Sequence, residues 1–428
     1  MTPPQPSPLK SSKIEGMEHT YRSTRYRLLP RTRAKHQRLM QVTGACVWTW
    51  NRMLAHSEQE HMFHERLPWL VGKPSTTFFS LGKEFTRLRA KTDWLRQLPF
   101  AAVRHTLKHQ AEAWRKFFKG QGGRPRFKSK YRERTVTFPE PGHFQIQGGS
   151  LRLQKLGWFR LARRGGDPYG QCEARSVTVK RECGKWYAVV LYRVPAHVVE
   201  RADDGRAVGV DMNVGQVACS DGEIMRMDGA RMGRLEARRR RYQRRMARQV
   251  KGSNRRNVTK RRLAKVCRNI RCHRDNWQHH ASKRIAGKAG TVAVESLGTK
   301  GMTASAKGDA DNPGRRVRQK AGLNRSILNT GWHGLKAKLE YKSARLIEVN
   351  PKHTSQRCAK CGFTDKGNRT TQASFECLAC GHRDNADVNA ALNILALGTG
   401  ATGRGGGEVT RPVKRQDIAG HHLVESCI

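Results

Sequence analysis

The chain has 428 residues, 37% of them hydrophobic, which is enough for two or three domains with substantial cores. Its 84 Lys and Arg residues exceed its 34 Asp and Glu residues by 50 charges, an excess that favours a polyanionic partner such as nucleic acid over a merely basic protein. No apolar run reaches the roughly 18 residues of a membrane-spanning helix, so no membrane partner is expected.

Residues 1–18 and 399–428 are predicted to be disordered tails. The first is polar and Pro-rich, and the second contains the Gly-rich, basic stretch "GRGGGEVTRPVKRQ". The first tail also lacks the apolar segment of a secretory signal. We therefore expect a cytoplasmic, nucleoid-associated protein.

Residues 19–200 are predicted to form a β-barrel-like domain with a helical insertion of about 30–130. "EHTYRSTRYRL" predicts a strand near residue 20, and apolar residues at helical spacing predict helices after Pro30 and over about 100–118. From about 135 to 194 the period changes to two. "HFQIQ" and "SLRLQ" flank a Gly-Gly pair and predict one hairpin, and "SVTVKRECGKWYAVVLYRV" predicts another.

Residues 205–398 are predicted to form a second domain, of the α/β class. "RAVGVDMNVGQVACSDGEIMRM" predicts strands around a Ser-Asp-Gly turn, and a long basic helical stretch follows over about 230–287. "GTVAVESLG" predicts a short buried strand, and a helix, the strand "RLIEV", two cysteine knuckles and a closing helix complete the order. A hairpin-led sheet followed by alternating helices and strands is typical of α/β domains.

Two Cys-x-x-Cys knuckles separated by fifteen residues predict a structural zinc site within residues 353–384. Two such knuckles can place four thiolates on one tetrahedron, about 2.3 Å from the metal. Chance spacing of buried thiols and an iron centre are the alternatives. The predicted zinc ligands are Cys358, Cys361, Cys377 and Cys380.

Three acidic residues stand in apolar surroundings, where an ionised carboxylate is costly. Asp211 lies in the strand "VGVDMN", Glu295 ends the strand "VAVES", and Asp387 lies at the margin of the apolar stripe of "NADVNAALNIL". A structural ion pair with arginine or lysine would explain any one of them.

Together the three acids predict a phosphodiester nuclease. A two-metal nuclease needs three or four carboxylates around a pair of Mg²⁺ ions. An acid on the first strand of a hairpin-led sheet, another at the end of a later strand and a third on a closing helix is the order of an RNase H-like nuclease. Asp211, Glu295 and Asp387 are therefore predicted to be catalytic and to bind magnesium.

Four segments resemble the TnpB (OrfB) family of transposon-encoded RNA-guided nucleases, which is related to the type V CRISPR nucleases. They are "VGVDMNVGQVACSDG", "VAVESLGTKGM", "GWHGLKAKLEYKSARLIEVNPKHTSQRCAKCG" and "CLACGHRDNADVNAALNIL". The resemblance implies an RNase H-like (RuvC-type) nuclease domain with an inserted zinc ribbon. It also implies a guide RNA from the transposon end, a double-stranded DNA target cut beside a short target-adjacent motif, and the same three metal-binding acids.

The sequence departs from the family pattern at three places. Met212-Asn213 follows the first acid, Ser296 follows the second, and Asn385 stands two positions before the third, where the family often has another acid. Asp384 is a candidate to replace that missing neighbour. All three principal acids are present, so we expect activity with an altered metal environment.

Several cations are predicted to contact nucleic acid. The loop "GGRPRFKSK" and the stretch "RRRRYQRRMARQ" suit phosphate contacts, and the ribbon cations would guide the DNA strand if the resemblance holds. The predicted contacts are Arg124, Arg126, Lys128, Arg238, Arg239, Arg240, Arg241, Lys360, Lys366, Arg369 and Arg383.

Three other functions compete with a guided nuclease. A guided DNA-binding repressor without cleavage would have lost an acid, whereas this chain retains all three. A DNA-joining transposase would share the fold and the acids, but a ribbon placed before the third acid favours the nuclease. A zinc-ribbon RNA-binding protein would make the ordered acids a coincidence. A monomer and a dimer are both compatible with the sequence.

Overall fold

The computed structural model describes residues 19–70, 72–129, 135–163, 166–199, 203–309 and 311–400. The chain divides into two compact units, one up to Pro195 and one from Ala196. The predicted N-terminal tail lies outside the described residues. So does the predicted C-terminal tail, except that Thr399 ends the last helix and Gly400 caps it.

The first unit consists of seven strands and four helices within the described residues. Their bounds are β1 (His19–Leu29), α1 (Arg33–Arg66), α2 (Phe78–Ala90), α3 (Asp93–Arg96), α4 (Phe100–Phe118), β2 (Thr135–Phe138), β3 (Phe144–Gln147), β4 (Ser150–Leu153), β5 (Gly157–Ala162), β6 (Glu173–Glu182) and β7 (Lys185–Pro195).

The strands of this unit form one antiparallel sheet in the order β2-β6-β7-β1-β5-β4-β3. β1 lies inside the sheet, although four helices separate it in the chain from β2. The β3–β4 hairpin turns at Gly148 and Gly149, both with positive φ, as the Gly-Gly pair predicts. Among the described strands β2 and β3 are the two edges, so closure into a barrel stays a prediction.

The second unit contains seven helices and seven strands within the described residues. Their bounds are α5 (Ala196–Val199), β8 (Ala207–Asn213), β9 (Gln216–Cys219), β10 (Ile224–Arg226), α6 (Gly229–Ala247), α7 (Asn254–Lys288), β11 (Thr291–Glu295), α8 (Thr299–Met302), α9 (Val317–Thr330), α10 (Trp332–Lys342), β12 (Arg345–Val349), β13 (Ser374–Glu376), β14 (Arg383–Asn385) and α11 (Ala386–Thr399).

Five of these strands form a mixed sheet in the order β10-β9-β8-β11-β12. β10, β9 and β8 are antiparallel, whereas β8, β11 and β12 run parallel. Alternate residues of β8 and β11, such as Val210 and Val294, pack into the core formed with α7, α9 and α10. Because side chains alternate between the faces of a strand, Asp211 and Glu295 lie on the opposite face, where α11 packs.

The basic helical stretch predicted over about 230–287 consists of two helices, α6 and α7. α6 ends at Ala247, and Ser253 accepts a hydrogen bond from the Arg256 backbone amide to cap α7 after Gly252. The two helices pack together through an apolar face. Its members are Met232, Leu235, Tyr242, Val266 and Ile270, and Met227, which precedes α6, packs against them.

α11 approaches the sheet closely because a glycine faces it. A Cβ added at Gly209 of β8 would lie 2.0 Å from the Ala391 carbonyl oxygen and 2.7 Å from the Leu395 backbone nitrogen. A side chain at position 209 would therefore push α11 away from β8.

We expect Gly209→Ala to destabilise the protein by about 1–3 kcal/mol, because the methyl group overlaps backbone atoms that cannot rotate aside. The control is Gly233→Ala on the exposed face of α6, where an added Cβ meets nothing within 4 Å. It should stabilise that helix by up to about 1 kcal/mol. Thermal unfolding of both variants measures the difference, and equal melting temperatures would contradict the close packing of α11.

Candidate active site and zinc centre

Asp211 and Glu295 lie side by side at one edge of the second sheet. β8 and β11 are adjacent and parallel, with Val210 aligned to Val294. The next residue on each strand is the acid, so both carboxylates occupy the same level at the carboxyl ends of the strands. Ligands and catalytic groups of α/β sheets typically lie at this edge.

Asp387 reaches the same edge from α11. Ala391 lies over Gly209, and Asp387, one turn earlier in the helix, therefore lies near the end of β8 that carries Asp211. Asn385 fixes the start of the helix, because its side-chain oxygen accepts hydrogen bonds from the backbone nitrogens of Asp387, at 3.0 Å, and Val388, at 3.3 Å. Strand register and helix capping together bring the three predicted acids to one place.

The three carboxylates are buried and repel one another. Asp211 is 7% exposed, Glu295 8% and Asp387 5%. Burial, the largest cause, and the neighbouring charges of Glu295 and Asp387 together raise the pKa of Asp211 to about 7. Burial also raises the pKa of Glu295. A cation among the three groups would relieve both effects.

Each carboxylate has a hydrogen-bond donor that orients it. The donors are Asn213 Nδ2 to Asp211 Oδ2 at 2.7 Å, Thr354 Oγ1 to Glu295 Oε1 at 2.5 Å, Gln216 Nε2 to Asp387 Oδ2 at 2.7 Å and Arg369 Nη2 to Asp387 Oδ1 at 3.3 Å. Asp211 and Glu295 are thus met by neutral donors, and Asp387 by an amide and a guanidinium.

This donor set fits divalent cations of the magnesium class. Ionised carboxylates are oxygen acceptors, and hard cations such as Mg²⁺ prefer oxygen ligands.

The departures from the family pattern have structural roles here. The Asn213 side chain donates to Asp211, and its backbone carbonyl accepts a hydrogen bond from Trp332 Nε1 at 3.1 Å. Ser296 N donates to the Val349 carbonyl oxygen and extends the pairing beyond Glu295. Asp384 accepts from the backbone nitrogen of Asn385, so its carboxylate supports the helix cap.

The four cysteines form a cluster of the shape that zinc requires. Cys358 Sγ lies 3.8 Å from Cys380 Sγ, and Cys361 Sγ lies 3.5 Å from Cys377 Sγ. Tetrahedral zinc with Zn–S bonds of about 2.3 Å would separate two sulfurs by about 3.8 Å. The cluster therefore fits a structural zinc ion.

The two knuckles share one backbone pattern. Gly362 N donates to the Cys358 carbonyl oxygen and Gly381 N donates to the Cys377 carbonyl oxygen, both at 2.9 Å. Both glycines have positive φ, which closes each knuckle tightly. The ribbon is thus two similar turns held around the thiolates.

The predicted nucleic-acid contacts of the first unit lie on a segment fixed to α1. Trp50 Nε1 donates to the Arg126 carbonyl oxygen at 3.0 Å, and Lys128 Nζ lies 3.5 Å from the centre of the Trp50 ring. Arg124 lies 3.7 Å from Glu58. The segment is therefore an anchored stretch of cations rather than a free loop.

The predicted arginines of α6 differ in exposure. Arg238, Arg240 and Arg241 are exposed, whereas Arg239 is half-buried and pairs with Glu236 at 2.8 Å. Arg238 and Arg241 line an open groove of about 930 Å³ together with Arg231, Arg234 and Arg244. This face carries several cations within a few turns.

The predicted ribbon cations also occupy different surroundings. Lys360 and Lys366 are exposed, and Arg383 is exposed but paired with Glu376 at 2.8 Å. Arg369 is half-buried and turns toward Asp387. Arg369 is thus part of the acid cluster, which its position in the ribbon sequence does not reveal.

Sequence reasoning missed two further residues of the cluster, Thr354 and Gln216. Thr354 follows β12 in "NPKHTSQ", and Gln216 starts β9, opposite Asn213 in the hairpin register. Neither residue type marks a site by itself. The hairpin spacing could have placed Gln216 near Asp211, because Asn213 and Gln216 flank the turn.

Two family models match this chain. The one described as "Probable transposase" matches residues 188–306, and the one described as "Cas12f1-like, TNB domain" matches residues 332–394. The first match includes Asp211 and Glu295, and the second includes the four cysteines and Asp387.

Curated relatives match over most of the chain. The "Putative RNA-guided DNA endonuclease InsQ" of Escherichia coli strain K12 is 31% identical over 84% of this chain and 88% of its own length. A "Putative RNA-guided DNA endonuclease" of Streptomyces pristinaespiralis is 26% identical over 96% of both chains.

A solved structure has a similar fold. The Cas12f1 chain of a cryo-EM complex with sgRNA and target DNA aligns with a TM-score of 0.53, covering 84% of this chain and 82% of that chain at 15% identity. Within the described residues, no helix has the length and apolar character needed to cross a bilayer.

We expect Cys377→Ser to abolish stoichiometric zinc binding, because a serine hydroxyl replaces one of four thiolates. The control is Cys267→Ser, which changes an exposed thiol on α7. Elemental analysis of the purified proteins measures bound zinc. Retention of one zinc per chain in Cys377→Ser would contradict the four-thiolate site.

We expect Asp211→Asn to stabilise the cation-free protein at pH 8. The folded-state pKa of Asp211, about 7, exceeds an unfolded value of about 3.9, so folding disfavours the ionised form and the protein loses stability as pH rises between these values. A neutral amide removes this cost, up to about 4 kcal/mol, and the gain should shrink as pH is lowered toward 5. Urea unfolding without Mg²⁺ measures it, and a variant less stable at pH 8 would contradict the repulsion.

Proposed function

Because the chain belongs to the TnpB (OrfB) family of transposon-encoded RNA-guided nucleases, we propose that it is an RNA-guided, Mg²⁺-dependent DNA endonuclease of an insertion sequence. The observation that supports this most is the convergence of Asp211, Glu295 and Asp387 at one sheet edge. Three buried acids at such an edge are unfavourable for stability and suited to binding cations, as a nuclease requires.

The partners are a guide RNA from the transposon end and double-stranded target DNA. The net charge of +50 suits binding to several nucleic-acid strands, and exposed arginines cluster on one face of α6. A guided nuclease delegates sequence recognition to base pairing, so its protein surface contacts mainly backbone. Cleavage beside a short target-adjacent motif is part of this proposal.

The three acids would hold two magnesium ions in a RuvC-type site. When bound, the ions would activate the attacking water and stabilise the leaving oxygen of the phosphodiester. Asn213, Thr354 and Gln216 orient the carboxylates through the hydrogen bonds described above. Removing a carboxylate would leave these donors in place but remove the ligand.

The proposed domains assign one task to each region. Residues 19–200 would recognise nucleic acid, residues 205–398 would form the nuclease domain, and residues 353–384 would form its inserted zinc ribbon. The thiolate site has no open position for chemistry when all four cysteines are ligands, so its zinc is structural. We place the protein with DNA in a prokaryotic cytoplasm, as a monomer or a dimer.

We expect Asp211→Asn to abolish cleavage while guide RNA and target DNA stay bound. The protein is purified from cells that carry its native flanking DNA, its bound RNA is sequenced, and the complex is incubated with Mg²⁺ and a plasmid library that contains the matching target. The control, Asp309→Asn, changes an exposed loop carboxylate outside the cluster and should cleave normally.

The other functions predict different results in the same assay. Guide-dependent binding without cleavage by the wild-type protein would favour a repressor. Strand joining that depends on Asp211 would favour a transposase. The absence of any discrete bound RNA would contradict both the guided nuclease and the guided repressor.

A further inference from the structure

Two asparagines stand on α11 one turn apart and are almost fully buried. Asn389 is 0% exposed and Asn393 is 4% exposed, in a helix that is otherwise mostly apolar. A buried amide without partners would cost about 1–3 kcal/mol. Both side chains must therefore find hydrogen-bond partners, and they find them outside their own helix.

The partners are backbone groups of one short segment, 354–359. Asn393 Nδ2 donates to the carbonyl oxygens of Thr354, at 2.9 Å, and Arg357, at 2.7 Å. Asn389 Nδ2 donates to the same Arg357 oxygen at 2.8 Å, and Asn389 Oδ1 accepts from Ala359 N at 2.9 Å. The helix that presents Asp387 thus holds this segment through four hydrogen bonds.

The segment joins two sites. It begins at Thr354, whose hydroxyl lies 2.5 Å from Glu295 Oε1, and it contains Cys358, a predicted zinc ligand. Thr354 is itself 3% exposed, so its hydroxyl has no bulk water to turn toward. The hydroxyl also lies 3.1 Å from the Pro351 carbonyl oxygen, but it donates preferentially to the closer carboxylate, because hydrogen bonds to charged acceptors are stronger.

We propose that Thr354, Asn389 and Asn393 are positioning residues that couple the zinc site to the acid cluster, so that zinc binding favours divalent-cation binding by Asp211, Glu295 and Asp387. This inference rests on the proposed cation site. Zinc fixes Cys358, the two asparagines fix the backbone on either side of it, and the fixed backbone presents the Thr354 hydroxyl to Glu295. Coupling between two binding sites is reciprocal, so cations at the acids also favour zinc retention.

Thr354→Val tests the last link of this chain, because valine keeps the shape and the backbone carbonyl but lacks the hydroxyl. Titration of the full-length protein with Mn²⁺, followed by the electron paramagnetic resonance signal of the free ion, measures cation affinity without any activity assay. We expect a loss of affinity of about tenfold, as for other residues that orient a metal ligand. Thr354→Ser should restore wild-type affinity, and zinc content should stay unchanged in both.

Thr370→Val is the matched control, since Thr370 is an exposed ribbon threonine whose hydroxyl contacts only the Ser374 carbonyl among the bonds described. It should bind Mn²⁺ as the wild type does.

Asn393→Ala tests the link between α11 and the segment 354–359, and it should weaken Mn²⁺ binding even where zinc content is normal. Cys377→Ser, which removes zinc, should by itself weaken Mn²⁺ binding. The double variant with Thr354→Val should lose less Mn²⁺ affinity than the sum of the two single losses in free energy, because both changes act through one segment.

The outcomes separate the inference from the proposed function. If the wild-type protein binds no Mn²⁺ that Asp211→Asn removes, the proposed cation site itself is wrong. If the wild type binds Mn²⁺ through Asp211 but Thr354→Val and Asn393→Ala bind it equally well, the coupling is wrong while the proposed function stands.

Discussion

Mutual repulsion among three buried carboxylates is the constraint on which the rest of the second unit depends. Asp211, Glu295 and Asp387 are each less than a tenth exposed, and burial with like charge raises the pKa of Asp211 to about 7. A protein keeps such a cluster only where its surroundings hold it in place. Divalent cations remove this repulsion when they bind, so the repulsion that lowers the stability of the cation-free protein also favours cation binding.

The fold holds the cluster by close contacts from two directions. On the sheet side, Gly209 allows the backbone of α11 to pack closely against β8. This packing determines which residues of β8 lie beside Asp387. On the other side, Thr354 and Arg369 approach from the segments around the cysteine knuckles. The ribbon is therefore attached at the acid cluster itself.

The sequence predicted the individual helices and strands well, but it predicted less well where one helix ends and the next begins. Hairpins with Gly-Gly or Ser-Asp-Gly turns, the short buried strand ending at Glu295 and the helix over 100–118 carry strong local patterns. The division of the basic stretch into α6 and α7 was missed, because arginines between the apolar positions hide the face that packs. The Gly252-Ser253 pair was the available signal.

The same contrast holds for the site. Acids in apolar strands and paired cysteines are visible because burial or spacing makes them unusual. Thr354, Gln216 and the orientation of Arg369 depend on which backbone segments meet in three dimensions, and no local pattern encodes that. Asn389 and Asn393 lie between these cases, since two amides one turn apart in an apolar helix already require buried partners.

Crystallographic anomalous scattering from protein soaked in Mn²⁺ tests the central claim most directly. The account predicts manganese peaks bound by the carboxylates of Asp211, Glu295 and Asp387, at oxygen distances of about 2.2 Å, and no such peaks in Asp211→Asn crystals. Manganese that binds elsewhere while these three acids remain without an ion would contradict it.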